Sequence, residues 1–178
     1  LAHTLLHAPR GGTLTLDAAL AHLAADRFEA VTVNVDVKHV GCEAALIDSL
    51  RRHRLLDRAL LSSQVPTVVD RLRERERQLR LGISVGGRLA RIGRRWRGWR
   101  DDVLDGLARG RWHVLMAQHR LVDRGLLAQV EARGCHLYAW TVNDRAVIAT
   151  LRELGVHGVA TADPRLFAPV DAVLPAAA

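Results

Sequence analysis

Residues 31–38 read Val-Thr-Val-Asn-Val-Asp-Val-Lys, a strict two-residue alternation. That period belongs to a β-strand, with Val31, Val33, Val35 and Val37 on one face and Thr32, Asn34, Asp36 and Lys38 on the other. In a two-sheet sandwich the polar face would simply be wet. Here the flanking segments read as helices, which must cover the valines and so turn the polar face inward. A closed parallel barrel has that geometry, and its ligands bind where the strands end. Asp36 and Lys38 therefore become candidate site residues. The plainer alternative is a solvated ion pair on a surface strand.

Working outward, apolar runs alternate with helical patterns along the whole chain. Strands are expected at Ala30–Lys38, Ala59–Ser63, Leu79–Val85, His113–Gln118, Cys135–Thr141 and Gly158–Ala162. Helices are expected at Leu16–Ala25, capped by Thr15, and at Cys42–His53. Further helices are expected from Pro66 to about Gln78, at Val122–Arg133 and at Asp144–Leu154. Pro66 suits a first helical turn, Gly134 and Gly155 suit C-terminal caps, and Asn143 is a candidate N-cap. There is no dinucleotide-type Gly-x-Gly-x-x-Gly turn and no Walker loop. The pattern predicts an α/β chain forming an incomplete (β/α)8 TIM barrel. Complete barrels take about 250 residues, so about the first one and a half βα units are expected to be lacking.

The chain has 178 residues, 49% of them hydrophobic, enough for one core, so residues 1–178 read as a single domain with an Ala/Pro-rich tail over 168–178. Cys42 and Cys135 form no metal-type spacing, which suits a reducing, cytoplasmic setting. No run of about eighteen apolar residues is present. The net charge of +7 comes from arginine, because Lys38 is the only lysine. Such a charge suits anionic partners without choosing among them.

Several motifs then occur in order. Leu137-Tyr138-Ala139-Trp140-Thr141-Val142-Asn143-Asp144 is followed by Gly155-Val156-His157-Gly158-Val159-Ala160-Thr161-Ala162-Asp163-Pro164. Upstream stand Asn34-Val35-Asp36-Val37-Lys38, Leu61-Ser62-Ser63, Ala2-His3-Thr4, and Thr13-Leu14-Thr15-Leu16-Asp17-Ala18-Ala19-Leu20. Together these resemble the glycerophosphodiester phosphodiesterase family. The first two match its W-T-V-N and G-V-D-G-I-x-T-D-x-P signatures, and the others match its E-x-K, S-S-F, H-D and P-T-L-x-E-x-L. The resemblance runs from Ala2 to about Phe167.

The resemblance implies a TIM barrel that hydrolyses glycerophosphodiesters to sn-glycerol 3-phosphate and an alcohol, with a divalent cation, Mg²⁺ or Ca²⁺. Asp36 would be a metal carboxylate, one methylene shorter than the family's glutamate, and Lys38 would bind the phosphate. His3 would be the second catalytic histidine, and Trp140 would line the substrate, although an aromatic at a strand end serves packing equally well. Thr4 stands where the family has aspartate, and its H-R-G and E-x-D motifs do not occur in the chain. The chain alone is therefore expected to be inactive. A non-catalytic barrel that binds phosphodiesters or anionic lipid surfaces is the alternative. His113, His119 and His157 read as ordinary loop or surface residues.

Residues 86–111 stand apart as an arginine- and tryptophan-rich helical insertion. Arg88, Arg91, Arg94, Arg95, Arg97 and Arg100 flank a stripe of Leu89, Ile92, Trp96, Trp99 and Val103. The reading favoured is a helix docked on its own domain. An anionic membrane surface is a possible partner of residues 88–103, giving a membrane-peripheral location. Nucleic acid is not expected, since no recognised binding module accompanies the charge.

Overall fold

A computed structural model of the chain describes residues 14–87 and 93–167, with side chains of 93–97 excepted. Contacts divide the chain into two compact units, one ending at Leu81 and the other starting at Gly82.

In the first unit, helix α1 (Leu16–Leu23) precedes strand β1 (Val33–Asp36), helix α2 (Glu43–Arg52), strand β2 (Ala59–Ser63) and helix α3 (Pro66–Arg75). As expected, the Thr15 hydroxyl caps α1 by accepting from the Ala18 amide at 3.1 Å. β1 and β2 run parallel, with Val33 opposite Ala59 and Asp36 opposite Ser62. All five residues of β2 are buried, the mark of a strand covered on both faces. α2 buries Leu46, Ile47 and Leu50, and α3 buries Val68, Val69 and Leu72. Arg58 closes the far side of the unit: its guanidinium donates to the carbonyls of Leu23, Phe28, Glu29 and Val31. One side chain thus satisfies the end of α1 and the turn that follows it.

The second unit carries strand β3 (Arg80–Val85), whose first two residues precede the boundary, helix α4 (Gly93–Ala108) and strand β4 (Val114–Gln118). Helix α5 (Arg124–Glu131), strand β5 (His136–Trp140), helix α6 (Arg145–Leu154) and strand β6 (Gly158–Val159) follow. β3 to β6 pair in chain order, all parallel, so each pairing is crossed by one helix, as the sequence rhythm required. Asp123 and Asp144 cap α5 and α6 through their carboxylates. Gly155 ends α6 at φ +95°, a left-handed cap that glycine adopts without steric cost.

Several boundaries move. β1 is shorter than Ala30–Lys38 because only 33–36 face a partner strand, and β6 shrinks to two residues. α4 runs past Val103 to Ala108 and occupies the crossover from β3 to β4. Val103, Leu104 and Leu107 are buried, so its C-terminal half docks on its own unit, while Leu89 and Ile92 lie outside the described residues. Among the described residues no helix is long and apolar enough to cross a membrane.

Candidate functional site

β1 delivers Asp36 at its carboxyl end, and Lys38 follows two residues on. The Lys38 ammonium forms an ion pair with Asp36 Oδ2. The alternation predicted this shared face, and Val33 and Val37 are indeed buried on the other. The Lys38 and Asp36 side chains are 55% and 40% exposed, on the first strand of the sheet order.

The exit of β1 is nonetheless well fixed. The Val37 amide donates to the Ser62 carbonyl at 2.7 Å, and the Ser63 hydroxyl donates to the Val37 carbonyl at 2.6 Å. The Ser62 hydroxyl reaches Asn34 Oδ1 at 3.0 Å. The two serines singled out in the sequence therefore tether the strand end that carries Lys38. Beyond it, the buried Glu43 carboxylate accepts from the Gly41 amide at 2.8 Å and pins the turn into α2. Burial alone would push that carboxyl up; hydrogen bonds from the Glu43 and Gly41 amides, and the charges of Arg71 and Arg75, offset this and hold it below its ordinary value. Sequence reasoning passed over Glu43, since an acid in a first helical turn is ordinary.

In the second unit the strand ends gather Gly86, Gln118 and Trp140. Gln118 lies opposite Trp140 in the β4–β5 register, and the indole Nε1–H of Trp140 donates to the Met116 carbonyl at 2.9 Å. A Cβ on Gly86 would stand 2.5 Å from Gln118 Cβ and 3.0 Å from the Trp140 ring, so only glycine fits there. Gln118 Oε1 in turn accepts from the Gly87 amide at 3.2 Å. Trp140 is half-buried, one part packed and one part open. Asn143 does not cap α6, since Asp144 does. Its Oδ1 instead accepts from the Thr161 hydroxyl at 3.1 Å and the Ala162 amide at 2.9 Å.

His3 lies outside the described residues. His119 stands just past β4 with Nδ1 buried and unpartnered. His157 stacks on His136 with ring centres 4.6 Å apart, at the opposite, N-terminal ends of β5 and β6. Among the described residues no three histidine, cysteine or acidic side chains converge on one point. Asp36 alone, already paired with an ammonium, does not fit a hard divalent cation, which takes six or more oxygens.

Parallel strands with a helix at each crossover, and charged and aromatic residues at strand carboxyl ends, define an α/β protein of barrel type. The chain belongs to the glycerophosphoryl diester phosphodiesterase family, whose model matches residues 15–166. It is 39% identical over 54 residues to the glycerophosphodiester phosphodiesterase GDPD4 of Arabidopsis thaliana, a stretch covering 30% of this chain and 16% of that protein. Among solved structures it resembles a glycerophosphoryl diester phosphodiesterase of Agrobacterium tumefaciens, with TM-score 0.72 and 24% identity over 86% of this chain and 61% of that one. An Oleispira antarctica phosphodiesterase, solved with its product sn-glycerol-3-phosphate, gives TM-score 0.58 and 18% identity over 83% and 56% of the two chains. These likenesses establish the fold as the expected incomplete α/β barrel. The chain spans little more than half the length of the solved relatives.

Proposed function

We propose that this chain forms part of a phosphodiesterase that hydrolyses glycerophosphodiesters to sn-glycerol 3-phosphate and an alcohol. The observation that carries the reading is Lys38. The chain's single lysine stands half-exposed just past the carboxyl end of a parallel strand, paired with the Asp36 carboxylate, which a phosphate can replace. Family membership and the product held by the Oleispira neighbour support the same substrate class.

In this reading Lys38 takes the non-bridging phosphate oxygens. In the second unit, and taken by itself, Trp140 is the substrate-lining residue of the reading, its ring held by Met116 and Gly86. Asp36 serves as counter-ion to Lys38 in the free protein and is released toward a Mg²⁺ or Ca²⁺ ion only if further oxygen ligands come from outside the described residues. The 178 residues alone, with a single carboxylate at this point and no H-R-G or E-x-D motif, do not hydrolyse the substrate at a useful rate.

The test uses the natural protein that contains this chain, assayed for release of sn-glycerol 3-phosphate from glycerophosphocholine. Lys38→Ala is expected to lower kcat/KM by about 100-fold, the usual loss when one preorganised charge contact to a reacting oxyanion is removed. Undiminished turnover in Lys38→Ala would overturn the reading.

A further inference from the structure

The β5–β6 ladder contains an irregularity just where Trp140 leaves it. The register pairs Tyr138 with Gly158 and Ala139 with Val159, and the Ala160 amide donates to the Ala139 carbonyl at 2.8 Å. A regular parallel ladder would next send the Thr141 amide to the Ala160 carbonyl. The amide that arrives, at 2.9 Å, is that of Val142. One extra residue is accommodated at Trp140–Thr141, which makes this a β-bulge, a device that re-aims a side chain beside a site.

A bulge disrupts the ladder locally, and β6 ends at Val159. Asn143 rejoins it. The Ala162 amide, which a regular ladder would give to the Thr141 carbonyl, donates to Asn143 Oδ1 at 2.9 Å, and the Thr161 hydroxyl adds a second bond at 3.1 Å. Thr161 is itself fixed, since its oxygen accepts from the Asp163 amide at 3.1 Å. The two strands are thus bonded on both sides of the bulge: by backbone before Trp140, and by Val142 and the Asn143 side chain after it.

We infer that Asn143 is a positioning residue for Trp140. Its carboxamide replaces the missing ladder acceptor, holds the bulge closed, and so keeps the indole at the angle from which it bonds Met116 and clears Gly86. The consequence for ligand binding rests on the proposed function, in which that ring lines the substrate. Because Asn143 is exposed, its bonds add little to global stability, and the effect is local.

The experiment follows hydrogen exchange at the Trp140 indole, assigned by its loss in Trp140→Phe, together with binding of sn-glycerol 3-phosphate. The buried indole of Trp112, in the same unit, is the internal control. Asn143→Ala is expected to speed exchange at Trp140 about tenfold, the signature of a locally opened hydrogen bond, and to leave Trp112 unchanged. Asn143→Asp, which keeps an oxygen at the same place, restores the protection. Thr161→Val, which removes one donor and leaves the Ala162 amide, gives an intermediate rate and serves if Asn143→Ala does not fold. Unchanged protection in Asn143→Ala, equal loosening of Trp112, or failure of Asn143→Asp to rescue overturns the inference. Should the wild-type protein bind no sn-glycerol 3-phosphate while Trp140 responds as described, the positioning role stands and the proposed function falls.

Discussion

The indole of Trp140, at the end of β5, reaches back along β4 to the carbonyl of Met116 rather than to its register partner Gln118. The ring is thereby laid across the end of β4 and against Gly86, at the end of β3. Packing and hydrogen bonding fix the same side chain from two sides, so the part of the ring that stays open is a rigid surface. The weak point of this arrangement is Gly86, whose φ is +140° and whose missing side chain is what admits the ring.

Gly86→Ala should therefore destabilise the protein by about 2 kcal/mol, combining an overpacked contact with a backbone conformation that alanine resists. Urea unfolding followed by far-UV circular dichroism measures it. The near-UV signal of the native variant should change as well, because the ring must move or the strand end must give. A midpoint equal to that of the wild type would mean that β3 and the indole do not approach as closely as described.

Arg58 gives a second handle on the fold. Its guanidinium meets four carbonyls from the end of α1 and the segment that leads to β1, and the Glu29 and Val31 contacts are each 3.0 Å. Arg58→Ala removes the charged donor from all four carbonyls, of which Phe28 keeps the Val31 amide, and should cost about 2–4 kcal/mol, since bonds to charged donors are worth more than neutral ones but do not add fully. Arg58→Lys keeps the charge and loses the planar fork, so it should recover less than half of the loss. Equal midpoints for the alanine and lysine variants would show that charge contributes nothing and that geometry alone matters.

How much of this was readable in the chain follows from the range of each interaction. The period-2 run at 31–38 and the caps at Thr15 and Gly155 are local, and local rules find such features. How far Asp36 and Lys38 are enclosed was not readable, because helices on one side of a strand specify where its apolar face goes, but only a further strand or loop decides whether the polar face is covered. Asn143 and Asp144 are adjacent and both suited to an N-cap, so no local rule could choose between them; the choice depends on Thr161 and Ala162, eighteen and nineteen residues away. Glu43 and Arg58 act on partners that composition does not reveal. Gly86 alone carried a usable signal, a glycine pair directly after a buried strand, which marks a close approach of backbone to another group.

Asp17 supplies the pH dependence. Its Oδ1 accepts from the Ser49 hydroxyl at 2.7 Å, Arg52 at 2.5 Å and His53 at 3.0 Å, so one carboxylate on α1 gathers three donors from α2 and its C-terminal cap. The Ser49 bond, then the His53 bond, and the Arg52 charge hold its carboxyl below the ordinary aspartate value. A carboxyl lowered in the folded state stabilises fully above its unfolded pKa and loses that contribution as pH falls through the folded one. With unfolded aspartate near 3.9, the window lies from about pH 4 downward. Asp17→Asn should therefore melt below the wild type at pH 7, keep that deficit to about pH 4, and converge with it as the wild-type carboxyl protonates at lower pH. Thermal melts of both proteins between pH 7 and pH 2.5 check this. A gap that widens on acidification would mean that the aspartate is not held in its charged form by its three partners, and that α1 is joined to α2 by the burial of Leu20 instead.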